Sequence, residues 1–356
     1  DLVNYTNIPI TQTLMGLGAV AANNKNFLGM LGMHGTYEAN MAMHDCDVML
    51  CVGARFDDRI TGNLKYFSPN SKKIHIDIDP SSINKNVKVD LAVIGDCYYI
   101  LNMLMKELKA SKSKIDKNSI DKWWKTIDKW KRKDCLSFID SEKSIKPQRA
   151  LQELNKGLKG QDAYITTEVG QHQMWAAQYL DFNKPNRWMT SGGLGTMGYG
   201  FPAAIGVQVA HPKKPVVCVA GEASFLMNIQ ELSSLKQLNI PVKVFILNNE
   251  YMGMVRQWQE FFHGGRYSES YSDSLPDFIA LANSFGIKGM RVTDPKDLKS
   301  SIAEMMNHDG PVIMDVCVDK MENVFPMIPA GAAHNDMKLN DHDEKEAQTS
   351  EGMGLL

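Results

Sequence analysis

Glu222 and Asn249 each stand just beyond a short apolar run, one strand–helix–strand crossover apart in the chain. A carboxylate and an amide oxygen are hard ligands. They suit a magnesium ion shared with a phosphate group, whereas zinc favours nitrogen and sulfur. Each residue also has a plainer reading: an acid after a strand is usually a helix cap, and an Asn pair such as Asn248-Asn249 is usually a turn. The chemistry depends on whether the fold sets the two side chains side by side.

The flanking sequence predicts such a fold. Val216-Val217-Cys218-Val219, between Pro215 and Gly221, reads as a buried strand. Phe225, Ile229, Leu232, Leu235 and Leu238 then recur at helical spacing and predict a helix with one apolar face. Val242 to Leu247 is the second strand. A crossover of this length is right-handed and joins parallel strands, so both carboxyl ends fall on one sheet edge, where open parallel sheets bind ligands. Upstream, Pro147 to Leu158 is helical by pattern, and Ala163 to Thr167 is a strand ending in Glu168-Val169-Gly170-Gln171-His172. Ser191 to Pro202 is dense in glycine, which lets backbone approach a ligand closely before a helix opens at Ala203-Ala204. Ala282 to Ile287 and Val312 to Val318 are predicted to complete the sheet.

The first half repeats the rhythm. Strand-like runs at Ile8–Thr11, Val48–Val52, Ile74–Ile78 and Leu91–Ile94 are each followed by a polar or glycine-containing turn. The expected fold class is therefore α/β, with two doubly wound parallel-sheet domains. Asp79 before Pro80 is a cap with proline at the first helical position, which leaves Asp77 and Asp96 without a structural explanation. A GxGxxG fingerprint is absent, so a standard nicotinamide site is not supported. Strand-end acids with Arg55 are still what a dinucleotide needs: acids for ribose hydroxyls, a cation for pyrophosphate.

The expected boundaries are 1–110 for a first domain incomplete at its start, 111–145 for a linker with an amphipathic helix, 146–330 for a second domain and 331–356 for a tail or lid. The linker helix carries Ile120, Trp123, Trp124, Ile127 and Trp130 on one side. Tryptophans among lysines can suggest nucleic acid, but an amphipathic helix docking on a domain explains them better. The formal net charge of −2 gives no electrostatic case for nucleic acid or a membrane surface, and no apolar run is long enough to span a bilayer. The cysteines show no CxxC; Cys51, Cys218 and Cys317 fall in strand-like runs and are expected to be buried thiols. The chain opens at Asp1, without Met, on what looks like the middle of a domain.

Gly221-Glu222-Ala223-Ser224, a crossover, then Asn248-Asn249-Glu250-Tyr251-Met252-Gly253-Met254-Val255 resembles the cofactor motif of the thiamine-diphosphate enzymes, in particular the acetohydroxyacid (acetolactate) synthases. Leu31 to Asn40 with Gly53 to Arg59 resembles the flavin-binding middle domain of the same family. The resemblance runs over nearly the whole chain. It implies magnesium held by Glu222, Asn249 and the backbone carbonyl of Tyr251. Thiamine diphosphate would lie against Val169, Gly170, Gln171, His172, Ala223 and Ser224, with Gly195 and Met197 under it and Gly253 and Met254 beside it. FAD, required structurally and not reduced, would be met by Thr13, Leu14, Met15, Met33, His34, Gly35, Gly53, Ala54, Arg55, Asp57, Asp77, Ile78, Asp96 and Cys97. Met33, Arg59 and Trp258 would form the substrate pocket, with Arg59 on the carboxylate of the second keto acid. The family has Asp where this chain has Glu222, which predicts weaker metal binding because magnesium tolerates little deviation from octahedral geometry.

The implied reaction decarboxylates pyruvate on thiamine diphosphate and ligates the hydroxyethyl group to pyruvate or 2-oxobutyrate, toward valine, leucine and isoleucine. The activating Glu of the family lies in an amino-terminal domain of the neighbouring subunit. No glutamate here sits in its motif, so no catalytic acid is assigned, and the chain alone is expected to be inactive. The resemblance further implies a dimer or tetramer of the full-length chain and a possible regulatory small subunit. The expected location is the cytoplasm in a bacterium, or a plastid or mitochondrion in a eukaryote. Two other readings stay open at this point: a flavin-redox thiamine enzyme such as pyruvate oxidase, and a non-catalytic cofactor-binding subunit.

Overall fold

All strand pairing within the sheets is parallel in the computed structural model, which describes residues 1–111 and 115–340. The strands are β1 (Ile10–Gln12), β2 (Phe27–Met30), β3 (Val48–Val52), β4 (Lys72–Asp77), β5 (Leu91–Ile94), β6 (Tyr164–Thr167), β7 (Trp188–Met189), β8 (Val216–Gly221), β9 (Lys243–Asn248), β10 (Lys288–Val292) and β11 (Val312–Cys317). Contacts divide the chain into two units. One comprises residues 1–13, 24–137 and the segment from Phe325; the other comprises residues 14–23 and 138–324.

The second unit is built on a six-stranded sheet of order β10-β11-β9-β8-β6-β7. Its central strands are near-continuous apolar sequence, as strands covered on both faces must be, and β8 is buried along its whole length. Phe201, Phe225, Leu232, Leu235 and Phe278 pack with Val216, Cys218, Val244 and Ile246 in one core. The chain runs from β6 out to β7 and then back past β6 to β8, so the strand order reverses between β6 and β8. Such a reversal is where open α/β sheets bind ligands.

The first unit holds a two-stranded sheet, β1-β2, and a three-stranded sheet, β3-β4-β5. The tryptophan helix, Lys117–Lys131, packs Trp123, Trp124, Ile127 and Trp130 on Leu28, Ala39 and Ala42 of this unit. It is part of the first unit's core, where the sequence had suggested a linker element. Residues 112–114 of that linker lie outside the described residues.

Several expectations are corrected. The helix expected after β8 is three pieces: Glu222–Leu226, a 3-10 turn at Ile229–Glu231, and Leu232–Leu238. The break falls at Asn228, whose amide donates to the Gly198 carbonyl at 2.6 Å, and asparagine readily leaves helical geometry for such bonds. Leu238 is 53% exposed, so it is not on the apolar face. Ala282–Ile287 is not a strand: Phe278–Ser284 is a helix capped by Asp277, which accepts from the amides of Ile279 and Ala280. A short apolar run does not separate the two by periodicity alone. Nor are residues 334–340 a loose tail. His334 and Met337 are buried, and Met327 pairs with Lys338; residues 341–356 of the expected tail lie outside the described residues. Cys51 and Cys218 are buried as expected, but Cys317 is only half-buried, and all six thiols are free. No helix of the described residues is long and apolar enough to cross a membrane.

Candidate active site

The carboxyl ends of β6, β8 and β9 are consecutive on one sheet edge, and each opens into a loop that the sequence had singled out. Glu222 begins a helix directly after β8 and is 1% exposed. Burial pushes its carboxyl up to about 8, against the backbone amides of Glu222, Asn249 and Tyr251, which favour the charged form. The crossover thus does what its length predicted, bringing the Glu222 carboxylate to the Asn249–Tyr251 turn. Its Oε1 is buried and has no hydrogen-bond partner. Raised this far, the carboxyl holds its proton at neutral pH, and a cation would displace that proton and satisfy the partnerless oxygen.

The turn after β9 is tightly specified. Glu250 has φ +59°, in the left-handed region, and the Glu250 carboxylate accepts from the Tyr271 hydroxyl and pairs with Lys320. Asn249 Oδ1 accepts from the Tyr251 amide at 3.2 Å, and its Nδ2 donates to Gln171 Oε1 at 3.1 Å. No group of three His, Cys, Asp or Glu that could hold a metal occurs among the described residues. A cation here would draw on oxygen donors besides the carboxyl, and oxygen donors suit a hard ion such as magnesium. One carboxylate, one amide and one backbone carbonyl fit that ion.

After β6, His172 is buried, and burial lowers its pKa to about 3, so the ring is neutral. A Cβ on Gly221 would lie 2.7 Å from its Nδ1, and one on Gly170 2.8 Å from its Cε1. The imidazole therefore fills the reversal point against two glycines, and its Nε2 has no partner. Ser224 donates its hydroxyl to the Gly221 carbonyl at 3.0 Å. Gly195 approaches Val169, and Met197 is half-buried on the same loop. Gly253 is glycine for a packing reason: a Cβ would sit 2.0 Å from Gln171 Oε1. Trp258, on the helix Gly253–Phe262, rests its ring on Phe262, and Met254 lies on the same helix.

Two residues that sequence reasoning left without a role organise these loops. The Glu168 carboxylate accepts from the amides of Gly198 and Phe201 at 2.6 and 2.9 Å, pinning the glycine-rich segment to the end of β6. Its place directly after a strand was the available signal. Gln257 is fully buried and bonds both Gln171 and the backbone of Val324. Nothing in the sequence pointed to it.

In the first unit, Gly53 (φ +65°) follows β3, and Asp77, 6% exposed, ends the neighbouring β4. Asp77 accepts from the Asp79 amide, and Asp79 caps the turn at Pro80 as expected. Asp96 has a structural role too: it caps the helix that starts at Cys97, accepting from Tyr98 and Tyr99. Arg55 pairs with Asp57 at 3.0 Å, and Ile78 is 65% exposed. His34 bonds the Pro326 carbonyl at 3.1 Å, and burial lowers its pKa to about 4. Met33 donates its amide to the Arg59 carbonyl at 2.8 Å, with Gly35 and Ala54 in the adjoining turns. Thr13 lies in this unit, whereas Leu14 and Met15 lie in the other, where Met15 is set against Gly192.

Residues 168–316 match the family "Thiamine pyrophosphate enzyme, C-terminal TPP binding domain", and residues 1–104 match "Thiamine pyrophosphate enzyme, central domain". With these two matches along its parallel-sheet units, the chain belongs to the thiamine pyrophosphate enzymes. Within them it is a homologue of acetolactate synthase large subunits. It is 47% identical to acetolactate synthase isozyme 3 large subunit of Escherichia coli (strain K12), over 96% of this chain and 60% of that protein. It is 47% identical to the acetolactate synthase large subunit of Haemophilus influenzae, over 95% of this chain and 59% of the relative. With that of Cyanidium caldarium it shares 46% over 95% and 57%. The chain thus spans about 60% of the length of the curated relatives it matches.

Proposed function

We propose that this chain is the cofactor-bearing part of an acetolactate synthase, which decarboxylates pyruvate and joins the two-carbon unit to pyruvate or 2-oxobutyrate. The observation that carries the proposal is the buried Glu222 carboxyl beside the Asn249–Tyr251 turn, with one oxygen, Oε1, left without a partner. Glu222, Asn249 Oδ1 and the Tyr251 carbonyl are assigned to magnesium. When bound, thiamine diphosphate supplies the electron sink for loss of carbon dioxide, and the protein supplies orientation and electrostatics.

His172 and Ser224 serve the diphosphate. A neutral His172 offers a hydrogen bond and no charge, so charge balance falls to the cation. Gly195, Met197, Gly253 and Met254 shape the floor for the rings. Arg59 is assigned to the carboxylate of the second keto acid, which a guanidinium binds in two-point fashion; Met33 and Trp258 are each assigned to substrate. FAD is assigned to the ends of β3, β4 and β5 through Gly53, Asp77 and the Asp96–Cys97 turn, in a structural and not a redox role. Assembly into homo-oligomers and pairing with a small regulatory subunit belong to the same reading. So does a cytoplasmic or organellar location, supported by relatives from bacteria and algae.

The test is titration of the chain with thiamine diphosphate, followed by calorimetry, with magnesium or with a chelator. Uptake is expected only with magnesium and is expected to be lost in Asn249→Ala. No uptake under either condition refutes the proposal.

A further inference from the structure

Asn249 has two chemically different ends on its amide, and only the oxygen can ligate a cation. Which end faces the metal position is set by what the other end meets. Nδ2 meets Gln171 Oε1 at 3.1 Å. Gln171 in turn sends Nε2 to Gln257 Oε1 at 2.9 Å and to the Glu322 carbonyl at 3.1 Å. Gln257 Oε1 also accepts from the Val324 amide at 2.8 Å, while its Nε2 donates to the Val324 carbonyl at 3.3 Å. Backbone groups have fixed polarity: the amide can only donate and the carbonyl can only accept. Val324 therefore fixes Gln257, Gln257 together with the Glu322 carbonyl fixes Gln171, and Gln171 together with the Tyr251 amide fixes Asn249. All three side chains are at most 5% exposed, so water does not compete for these bonds.

We infer that Gln257, acting through Gln171, is a positioning residue for the cation site, setting Asn249 with its oxygen toward the metal. This rests on the magnesium reading of the site. It also reassigns Gln171, whose side-chain amide is engaged within the protein at both ends. Groups that hydrogen-bond a metal's ligands typically contribute roughly 10–100-fold in metal affinity.

The experiment is electron paramagnetic resonance titration of the whole chain with Mn2+ in the presence of thiamine diphosphate, beside the melting temperature of each variant. Gln257→Met removes both polar ends while keeping the side chain's length, and is expected to weaken Mn2+ uptake by about tenfold or more. Should Gln257→Met fail to fold, Gln171→Met leaves the Gln257–Val324 pair intact and is expected to show the same loss. A folded Gln257→Met or Gln171→Met variant with unchanged Mn2+ affinity overturns the inference. If the parent chain itself takes up no Mn2+, the reading of the site fails and the relay falls with it.

Discussion

At the scale of single residues, two burials have consequences that can be measured. Glu222 carries one methylene more than the aspartate of the family motif, and the Asn249–Tyr251 turn it faces is held by the Glu250 contacts with Tyr271 and Lys320. Those contacts oppose a shift of the turn that would absorb the extra length. Glu222→Asp is therefore expected to tighten magnesium-dependent uptake of thiamine diphosphate by roughly tenfold, the low end of what a displaced ligand shell costs. Equal affinities by calorimetry would show that the turn adapts. His334 is buried, with Nε2 on the Ile60 carbonyl at 2.7 Å and Nδ1 without a partner. Burial, opposed by that bond, lowers its pKa to about 4. Unfolded, it titrates near 6.5, so between about 6.5 and 4 the unfolded state holds the extra proton and stability falls with falling pH. The whole shift corresponds to roughly 3 kcal/mol. Urea unfolding at pH 7 and pH 5 should show a smaller difference in His334→Gln than in the parent, and an identical difference would count against this account.

At the scale of elements, the helix Gly200–Ala210 contains two glycines with opposite demands. A Cβ on Gly200 would sit 2.3 Å from the Thr167 carbonyl carbon and 2.4 Å from the Glu168 nitrogen. Backbone on that side cannot yield without moving the end of β6. Gly200→Ala is expected to lower stability by at least the roughly 1–3 kcal/mol of ordinary overpacking, and to weaken cofactor uptake because Glu168 loses its grip on the loop. Gly206 has no atom within 4 Å of an added Cβ. Gly206→Ala is expected to raise stability by roughly 0.5–1 kcal/mol, the usual gain in a helix interior. Denaturant midpoints of the two variants on the same side of the parent would contradict the packing described. The sequence showed the glycine density of this segment but gave no way to rank its members.

At the scale of the whole molecule, the segment from Phe325 returns to the first unit. Asn63 donates its side-chain amide to the Gly331 carbonyl and its backbone amide to the Ala332 carbonyl, His334 bonds the Ile60 carbonyl, and Ile328 donates its amide to the Met33 carbonyl. Ending the chain at Val324 is expected to reduce hydrogen-exchange protection in β3 and β4 while leaving β8 and β9 protected. Loss in all four strands alike would mean that the two units do not unfold separately. Position along the chain had suggested a tail here, because a polar stretch after the last strand reads as loose. Its contacts are with residues nearly three hundred positions away, and no local pattern reports those.

The sequence by itself marked β3, β4, β5, β6, β8, β9 and β11 and the turns that follow them, but not β2, β7 or β10. Val48–Val52 and Leu91–Ile94 fall where the apolar runs put them, and β8 and β9 differ from theirs only at the ends. Apolar runs bounded by glycine, proline and aspartate leave parallel strands few alternatives. It also determined that Glu222 and Asn249 would meet, because one crossover fixes where both strands end. Only the tertiary structure decided which end of the Asn249 amide meets Gln171, why Gly253 must be glycine, and what Glu168 holds. Amide polarity, steric clearance and capping all depend on partners brought from distant parts of the chain, and a primary sequence does not record who those partners are.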